Sequence, residues 1–257
     1  MPALGDISRF LDTTLRIAEI PDYPGAVNGV QLENTGDIQR VATAVDFSSD
    51  TIDGAIANRA DLLLVHHGMF WGGVQPFTGY RRQRLWSLIT HDVAVYSAHL
   101  PLDMHPDLGN NALLAHRLGL TPTAGFAKYH NVEIGLSGAS DTPTRDLAAR
   151  ARALAEEFRG SFVATPFSED RTTRRWGICS GAGADSSTIQ EAVARGLDTL
   201  IVGEGPHHTA VTARELGIVI LYAGHYATET LGVRALGDTL AREYGIQATF
   251  IDVPSGL

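Results

Sequence analysis

Two stretches of the chain, residues 51–67 and 188–204, repeat one pattern at a constant offset of 137 positions without a gap. TIDGAIANRADLLLVHH and TIQEAVARGLDTLIVGE agree at seven of seventeen positions. In each stretch a helix-like segment leads into a short apolar run, which is typical of a buried parallel strand. The pattern indicates α/β layers, although two unrelated α/β units could share it because both need the same elements.

A second pair of stretches indicates the same duplication. VYSAHLPLD (95–103) aligns with LYAGHYATE (221–229), so that a tyrosine, a histidine and an acid four residues after the histidine coincide. These repeated polar residues favour duplication over chance. We therefore predict an α/β fold of two similar layered α/β units related by internal duplication, the first at residues 1–126 and the second at residues 127–257.

Composition excludes several classes of protein. The chain has 20 Lys and Arg against 29 Asp and Glu, a net charge of −9, which argues against a broad nucleic-acid surface. Its apolar runs are too short to cross a bilayer, and the charged Asp6 and Arg9 do not fit a signal peptide. The single cysteine, Cys179, excludes an internal disulfide and a multi-cysteine zinc site. We expect a cytoplasmic protein with no membrane partner.

Histidines and acids follow the predicted strands at their carboxyl ends, where parallel sheets gather ligands. The residues in these positions are His66 and His67, His99 and Asp103, Glu204, and His225 and Glu229. Imidazole and carboxylate groups together bind zinc, iron or manganese. Singly, each histidine is more often a loop or core residue, and a His–Glu pair four apart is often a solvated helix face. The whole set, which contains no lysine or arginine, favours a metal site between the two units.

The adjacent histidines suggest two ions rather than one. Neighbouring residues on an extended segment point to opposite sides, so His66 and His67 are not expected to grip a single ion. Two ions roughly 3.5–4 Å apart would suit them better. His225 and Glu229 are four residues apart at a predicted helix start and would share one face.

Several motifs spread along the chain resemble those of one known family. They are NGVQLE (28–33), AVDFS (44–48), ADLLLVHHGMFWGG (60–73), AHLPLD (98–103), GICSGAGA (177–184), VGEGPHH (202–208) and GHYATETLGV (224–233). Together they resemble the dinuclear-metal-centre hexameric proteins, also called GTP cyclohydrolase 1 type 2 homologues or NGG-interacting-factor-like proteins. The resemblance runs from about residue 5 to residue 254.

This resemblance implies a metal centre and an assembly. The implied ligands of two divalent ions, which could be zinc, iron, manganese or magnesium, are His66, His67, Asp103, His225 and Glu229. It also implies a homohexameric ring whose metal sites face an internal cavity, and a short form of the family without an inserted domain. Many members have proline after the paired histidines, whereas this chain has Gly68 and Met69. That departure changes the stiffness of the loop.

Other residues have more open roles. Glu204 is our candidate for a general base, or alternatively a carboxylate that orients a ligand. His99 is a candidate catalytic proton shuttle, and a structural histidine is the alternative. His207 and His208 are expected near the rim of the cavity. Trp71, in a glycine-rich loop, could line a pocket or only anchor the loop.

We expect a metal-dependent hydrolase acting on a nucleotide or related small molecule, with GTP ring opening suggested by the resemblance alone. The chain has no GxxxxGK[ST] phosphate-binding loop. Its densest cationic patch, Arg81, Arg82 and Arg84, could meet phosphates, but a solvated helix face is favoured. The competing function is a non-catalytic metal-binding scaffold, metal chaperone or interaction protein. Nucleic-acid binding by the ring conflicts with the negative charge.

Overall fold

A computed structural model describes residues 1–257 and divides them into two compact units. The first unit comprises residues 1–102 and 232–253, and the second comprises residues 103–231 and 254–257. The helices of the whole chain are α1 (Leu4–Leu15), α2 (Ser49–Ala57), α3 (Gly79–Thr90), α4 (Leu100–Asp103), α5 (Asn110–Arg117), α6 (Thr144–Glu157), α7 (Ser186–Ala194), α8 (His207–Glu215) and α9 (His225–Tyr244). None of them combines the length and the apolar character that a membrane span requires.

The eleven strands form two sheets, one in each unit. They are β1 (Gly29–Leu32), β2 (Arg40–Asp46), β3 (Leu62–His67), β4 (Ala94–Ser97), β5 (Ala124–Tyr129), β6 (Val132–Pro143), β7 (Val163–Ala164), β8 (Thr172–Cys179), β9 (Thr199–Val202), β10 (Val219–Tyr222) and β11 (Gln247–Phe250). The first sheet has the order β1-β4-β3-β2-β11, and the second has the order β5-β6-β8-β9-β10-β7. The α/β fold class predicted from the sequence is confirmed.

The first sheet is parallel except for β1, which pairs antiparallel with β4. Its central strand β3 is buried along its whole length, as its apolar run predicts. Side chains such as Leu63, Val65 and Val95 pack with Ile52 of α2 and Leu88 of α3. This packing fixes the strand that ends in the paired histidines.

The second sheet has a parallel centre, β8-β9-β10, with antiparallel strands on both sides. Its core includes Phe126, Leu200 and Ile220, and Ile189 of α7 packs against them. The helical spacing of Leu147, Ala151, Leu154 and Phe158 predicts one apolar face that packs in the core. All four side chains are buried, which confirms this interpretation. The parallel strands carry the sequence repeat.

Hydrogen bonds support the internal duplication. Each unit contains a strand–helix–strand–helix–strand segment, β2 to β4 in the first and β8 to β10 in the second. Asp61 accepts hydrogen bonds from the backbone amides of Gln39 and Arg40, at 2.7 and 2.9 Å. Asp198, at the same position in the repeat, accepts from the amides of Arg174 and Arg175, at 3.0 and 2.9 Å. The repeat therefore preserves a specific contact as well as a pattern of elements.

The compact units divide the chain differently from the predicted ranges 1–126 and 127–257. The segment 232–253 belongs to the first unit because β11 pairs in parallel with β2, from Gln247 opposite Arg40 to Phe250 opposite Thr43. The change from first to second unit falls within α4, between Leu102 and Asp103. Pairing between the end of the chain and its beginning cannot be seen in local patterns.

Two predicted helix starts are displaced. Aspartate is a common capping residue, and the sequence pattern predicts Asp50 as the cap of α2. Ser48 is the cap instead: its hydroxyl accepts from the amide of Thr51, whose hydroxyl accepts from the Ser48 amide. A threonine followed by proline is a typical helix start, so the sequence pattern predicts that a helix begins at Thr142 and Pro143. Both lie in β6 instead, and α6 begins at Thr144.

Candidate metal centre

His66 and His67 form the last two positions of β3 and are buried. Nδ1 of His66 lies 2.8 Å from the carbonyl oxygen of Ala98. Because a carbonyl oxygen can only accept, Nδ1 donates the hydrogen and the lone pair of neutral His66 lies on Nε2. The backbone thus prepares Nε2 of His66 to bind a metal ion.

His67 is oriented by a carboxylate from the neighbouring strand. Its Nδ1 donates to Oδ1 of Asp46 at 2.9 Å, and the two residues are register partners at the ends of β3 and β2. Carboxylates that accept from metal-binding histidines fix the ring and raise its basicity. Asp46 was not predicted from the sequence, although its place at the end of a predicted strand was a usable signal.

The third histidine of this unit, His99, is held by Asp22. Nδ1 of His99 lies 2.8 Å from Oδ1 of Asp22, whose carboxylate also accepts from the side chain of Asn28 and the amide of Leu100. Burial disfavours the charged carboxylate of Asp22, but its hydrogen bonds, with that from His99 the strongest, outweigh burial and hold its pKa below the ordinary value. An ionised Asp22 therefore anchors His99.

One ring nitrogen from each of His66, His67 and His99 lies within 4.8 Å of the other two, close enough to hold a metal ion. The ring centroids of His66 and His67 are also 4.8 Å apart, so the expectation that they point away from each other is wrong. Each Nδ1 is held on its own side, towards Ala98 for His66 and towards Asp46 for His67. The rings remain neighbours at the end of the sheet.

The second unit carries its own group of donors at the start of α9. Nε2 of His225 lies 3.0 Å from Oε2 of Glu229, and Nδ1 of His225 lies 2.8 Å from Oε1 of Glu204. Burial opposes the charged form of His225, but the hydrogen bonds and charges of Glu229 and Glu204 outweigh it and raise the pKa of this imidazole to about 9. Two ligand atoms that bind the same ion at 2.0–2.2 Å lie about 3 Å from each other. The distance between Nε2 of His225 and Oε2 of Glu229 is compatible with a shared ion.

Glu229 depends on glycine for its space. Gly181, which follows β8 with a φ of +60°, would place a Cβ 2.0 Å from Oε1 of Glu229. The amide of Gly181 donates to the hydroxyl of Thr228, which fixes this approach. Both the left-handed backbone and the missing side chain are therefore required for a carboxylate in this position.

Asp103 lies in a polar network of the second unit. Its Oδ1 accepts from the side-chain amide of Asn110 at 2.8 Å and from the hydroxyl of Ser180 at 3.2 Å. Asn111 strengthens this arrangement, since its side-chain oxygen accepts from the Ser180 amide. The network fixes the position of a buried carboxylate.

The remaining predicted residues have clear positions. His207 and His208 are exposed at the start of α8, and His207 lines a cavity of about 280 Å³ together with Glu204 and Tyr222. Trp71 packs beside the histidines of the first unit, with its ring centroid 4.3 Å from that of His99 and 4.8 Å from that of His67. Trp71 is therefore in ring contact with two histidines of this unit.

The loop after the paired histidines is secured by Gln31. Its side-chain oxygen accepts from the amide of Met69 at 2.6 Å, and its nitrogen donates to the carbonyl oxygens of Ala26 and Val27. A Cβ on Gly68 would lie 2.4 Å from the Gln31 amide group. Glycine after the histidines therefore makes room for Gln31, which holds the loop by hydrogen bonds.

The fold and these histidine and carboxylate groups define an α/β protein with donors suited to metal ions. The family model Duf34/NIF3 (NGG1p interacting factor 3) matches residues 2–255, and the chain belongs to this family. It is 39% identical over 254 residues to a protein of Deinococcus radiodurans, covering 98% of this chain and 94% of that one. It is 40% identical to a protein of Pyrococcus abyssi, covering 98% of each chain. Both relatives are named GTP cyclohydrolase 1 type 2 homolog.

Solved structures match over nearly the whole chain. The structure described as protein ybgI, of unknown function, is 34% identical with a TM-score of 0.88, covering 99% of this chain and 100% of that one. Reduced HcgD from Methanocaldococcus jannaschii is 25% identical with a TM-score of 0.84, covering 98% of both chains. These similarities support the resemblance found in the sequence.

Proposed function

We propose that this protein binds two divalent metal ions through His66, His67, Asp103, His225 and Glu229, and that the centre hydrolyses a small molecule. The observation that carries the proposal is the orientation of the histidines. Nδ1 of each ligand histidine is engaged by an oxygen acceptor, namely the Ala98 carbonyl, Asp46 or Glu204. This arrangement reserves Nε2 for a metal ion in all three.

The proposed donor set fits zinc, iron and manganese better than magnesium. Magnesium favours oxygen ligands and retains water, whereas imidazole suits the transition metals. The proposal requires the donors of the first unit and those of the second to share one centre. It takes the two ions from the family resemblance and from the number of donors available.

Divalent ions in this centre would supply Lewis-acid chemistry that polarises the bond under attack. Glu204 supports His225, and its side chain is 41% exposed, so one carboxylate can meet both the histidine and a water molecule. Glu204 is thus suited to take a proton from water. His99, anchored by Asp22, is suited to move a proton because its Nδ1 contact holds the ring in place.

We further propose a class of substrate for this centre. The name of the relatives, GTP cyclohydrolase 1 type 2 homolog, suggests a nucleotide or a related small heterocycle. A panel of nucleotides, phosphoesters and cyclic amides, assayed with zinc, iron and manganese in turn, tests this class. Turnover that is lost on chelation and restored by one of these ions supports a hydrolase.

Metal analysis of variants tests the centre itself. Wild-type protein loaded and then desalted should retain two ions per chain by mass spectrometry, and His67→Ala and Glu229→Ala should each lose both. His91→Ala is the matched control, since His91 is exposed at the end of α3 and bonds only the Ser87 carbonyl. Loss of a single ion in each variant would mean that the two units bind metal separately, which would overturn the shared centre.

A metal-binding scaffold or metal chaperone is the second candidate. The family description itself names an interacting factor, which favours a role in binding partners. Stable metal loading with no turnover across the panel supports this function. Transfer of the metal to an acceptor protein in the presence of a competing chelator would support a chaperone.

We also propose that the chain forms a homohexameric ring in the cytoplasm, in line with the family resemblance. Light scattering on the purified protein should then give six times the 27.5 kDa of one chain. A monomer at micromolar concentration would contradict the hexamer. Fractionation of cells that produce the protein tests its location.

A further inference from the structure

A cavity of about 220 Å³ in the first unit opens beside the metal-ligand candidate His67. Its lining combines His67 and Asp46 with two aromatic and two cationic side chains, Trp71, Tyr80, Arg81 and Arg84. The same two arginines also line a smaller, more apolar cavity of about 50 Å³ beside Phe77 and Leu85. Arg81 and Arg84 therefore line two neighbouring cavities, one more polar and one more apolar.

Neither arginine of this cavity is neutralised by a carboxylate. Arg84 donates to the hydroxyl of Ser49 at 3.1 Å and to the carbonyl oxygen of Phe47 at 3.5 Å. The guanidinium groups of Arg81 and Arg84 lie 4.7 and 4.8 Å from the ring centroid of Tyr80. These contacts hold the guanidinium groups in place without an ion pair. The carboxylate of Asp46, which lines the same cavity, is bonded to His67.

Several other arginines of the chain are in ion pairs. Arg9 pairs with Asp6, Arg117 with Glu157 and Arg195 with Glu133. Arg81 and Arg84 instead contact Tyr80, and both line the same cavity. Their positive charge is available to a ligand, and guanidinium groups match the geometry of phosphate and carboxylate.

The aromatic side of the cavity adds a requirement of shape. Trp71 is 40% exposed although its ring is in contact with His67 and His99. An exposed indole edge or face beside two cations favours a flat ring over a flexible chain. Arg82, next in sequence, is exposed, contacts Trp86 and does not line the cavity.

We propose that this cavity binds a small planar molecule that carries an oxyanion, with Arg81 and Arg84 as the oxyanion ligands and Trp71 against the ring. The proposal rests on the proposed function only in assigning this molecule as the substrate beside the His67 ligand. Binding of the oxyanion itself requires no metal. The oxyanion can be a phosphate or a carboxylate, since both match the two guanidinium groups.

Calorimetric titration of the full-length protein tests the proposal, with phenyl phosphate, benzoate, inorganic phosphate and phenol as probes. Each titration is run on metal-loaded protein and on protein treated with a chelator. We expect phenyl phosphate or benzoate to bind under both conditions and phenol not to bind. The tighter of the two anions identifies the oxyanion that the cavity prefers.

Variants assign the binding to this cavity. Arg81→Ala and Arg84→Ala should each weaken binding about ten- to hundredfold, as expected for the loss of a charge-assisted hydrogen bond. Arg82→Ala removes the same charge from the same helix and should leave the affinity unchanged. Trp71→Leu should weaken phenyl phosphate about three- to tenfold and leave inorganic phosphate unchanged. Thermal unfolding followed by circular dichroism confirms that each variant is folded.

Two results would overturn the proposal: no binding of either aromatic anion at millimolar concentration, or equal affinity in the wild type and in both cavity variants. Failure of the proposed function gives a different result. In that case the chelated protein still binds the anion through Arg81 and Arg84, while metal loading or turnover is absent.

Discussion

Nδ1 of His67 lies 2.9 Å from Oδ1 of Asp46, and the two residues are partners in the register of neighbouring parallel strands. The sheet therefore delivers a histidine and its supporting carboxylate together, at the ends of β3 and β2. A shift of one residue between these strands would separate the pair, because neighbouring side chains alternate between faces. The buried apolar positions of β3 protect this register.

Replacing Asp46 with asparagine should weaken metal binding about ten- to hundredfold. The amide oxygen can still accept from His67, but the negative charge that raises the basicity of the ring is lost. Competition with a chromophoric chelator measures the affinity. Asp53→Asn, at an exposed position of α2, is the control and should bind as the wild type does. Unchanged affinity in Asp46→Asn would show that the carboxylate does not support the metal.

Replacing Gly181 with alanine should destabilise the second unit and displace Glu229. The new Cβ would lie 2.0 Å from Oε1 of Glu229, at a backbone φ of +60°. We expect a loss of about 2 kcal/mol in the free energy of unfolding, measured with urea, together with loss of bound metal. Gly5→Ala is a control of opposite sign, because this helical position has open space. Alanine there should be neutral or stabilising by up to about 1 kcal/mol.

Glu204→Gln separates two roles of this side chain. Glutamine keeps an oxygen that can accept from Nδ1 of His225, but it cannot take a proton. If Glu204 is the general base, metal content should stay at the wild-type level while turnover of an identified substrate falls about 100-fold or more. Glu215→Gln, at the exposed end of α8, should have full activity. Full turnover in Glu204→Gln would leave Glu204 only the role of orienting His225.

The repeat supplies a matched pair of helix caps that differ in charge. Asp185 accepts from the amide of Thr188 at 2.7 Å, and Ser48 accepts from the amide of Thr51 at 3.1 Å. Burial acts to raise the pKa of Asp185, but hydrogen bonds from Thr188 and Ser187 outweigh it and hold this pKa below the ordinary value. The ionised cap therefore stabilises the folded state at pH values above about 4, and this stabilisation is lost as the pH falls through the lowered pKa.

Asp185→Ala should consequently cost about 1 kcal/mol at pH 7, and the difference from the wild type should shrink as the pH falls below about 4. Ser48→Ala should cost a similar amount that does not change with pH, because a hydroxyl does not titrate in this range. Urea unfolding at several pH values measures both differences. Parallel behaviour of the two variants would show that the charge of Asp185 is not involved.

Much of the parallel core could be predicted from the sequence. The runs that form β3, β9 and β10 are short, apolar and bounded by helices, and such runs are typical of buried strands. Three edge strands were not predicted, namely β1, β5 and β7. They have two to six residues, and each includes exposed positions, so no local periodicity distinguishes them from loops.

The candidate ligands could be chosen from the sequence because each stands beside a predicted strand end. Their supporting residues could not, since Asp22 reaches His99 across 77 positions and Asp46 reaches His67 across 21. Such contacts depend on how loops and strands are placed in space. Asp22 carries no local signal of its contact, and Asp46 has only its place at a strand end. His99 was predicted as a catalytic proton shuttle and not as a metal ligand, whereas its ring is one of three that could hold an ion.

The pairing of β11 with β2 affects the order in which the two sheets can fold during synthesis. All strands of the six-stranded sheet have been synthesised once Tyr222 is added, but the five-stranded sheet waits for residues 247–250. Until then, one side of β2 presents unsatisfied backbone groups, which invite pairing with other nascent chains. The first unit therefore begins to be synthesised first but completes its sheet last. A chain terminated before β11 would leave the edge of β2 unpaired.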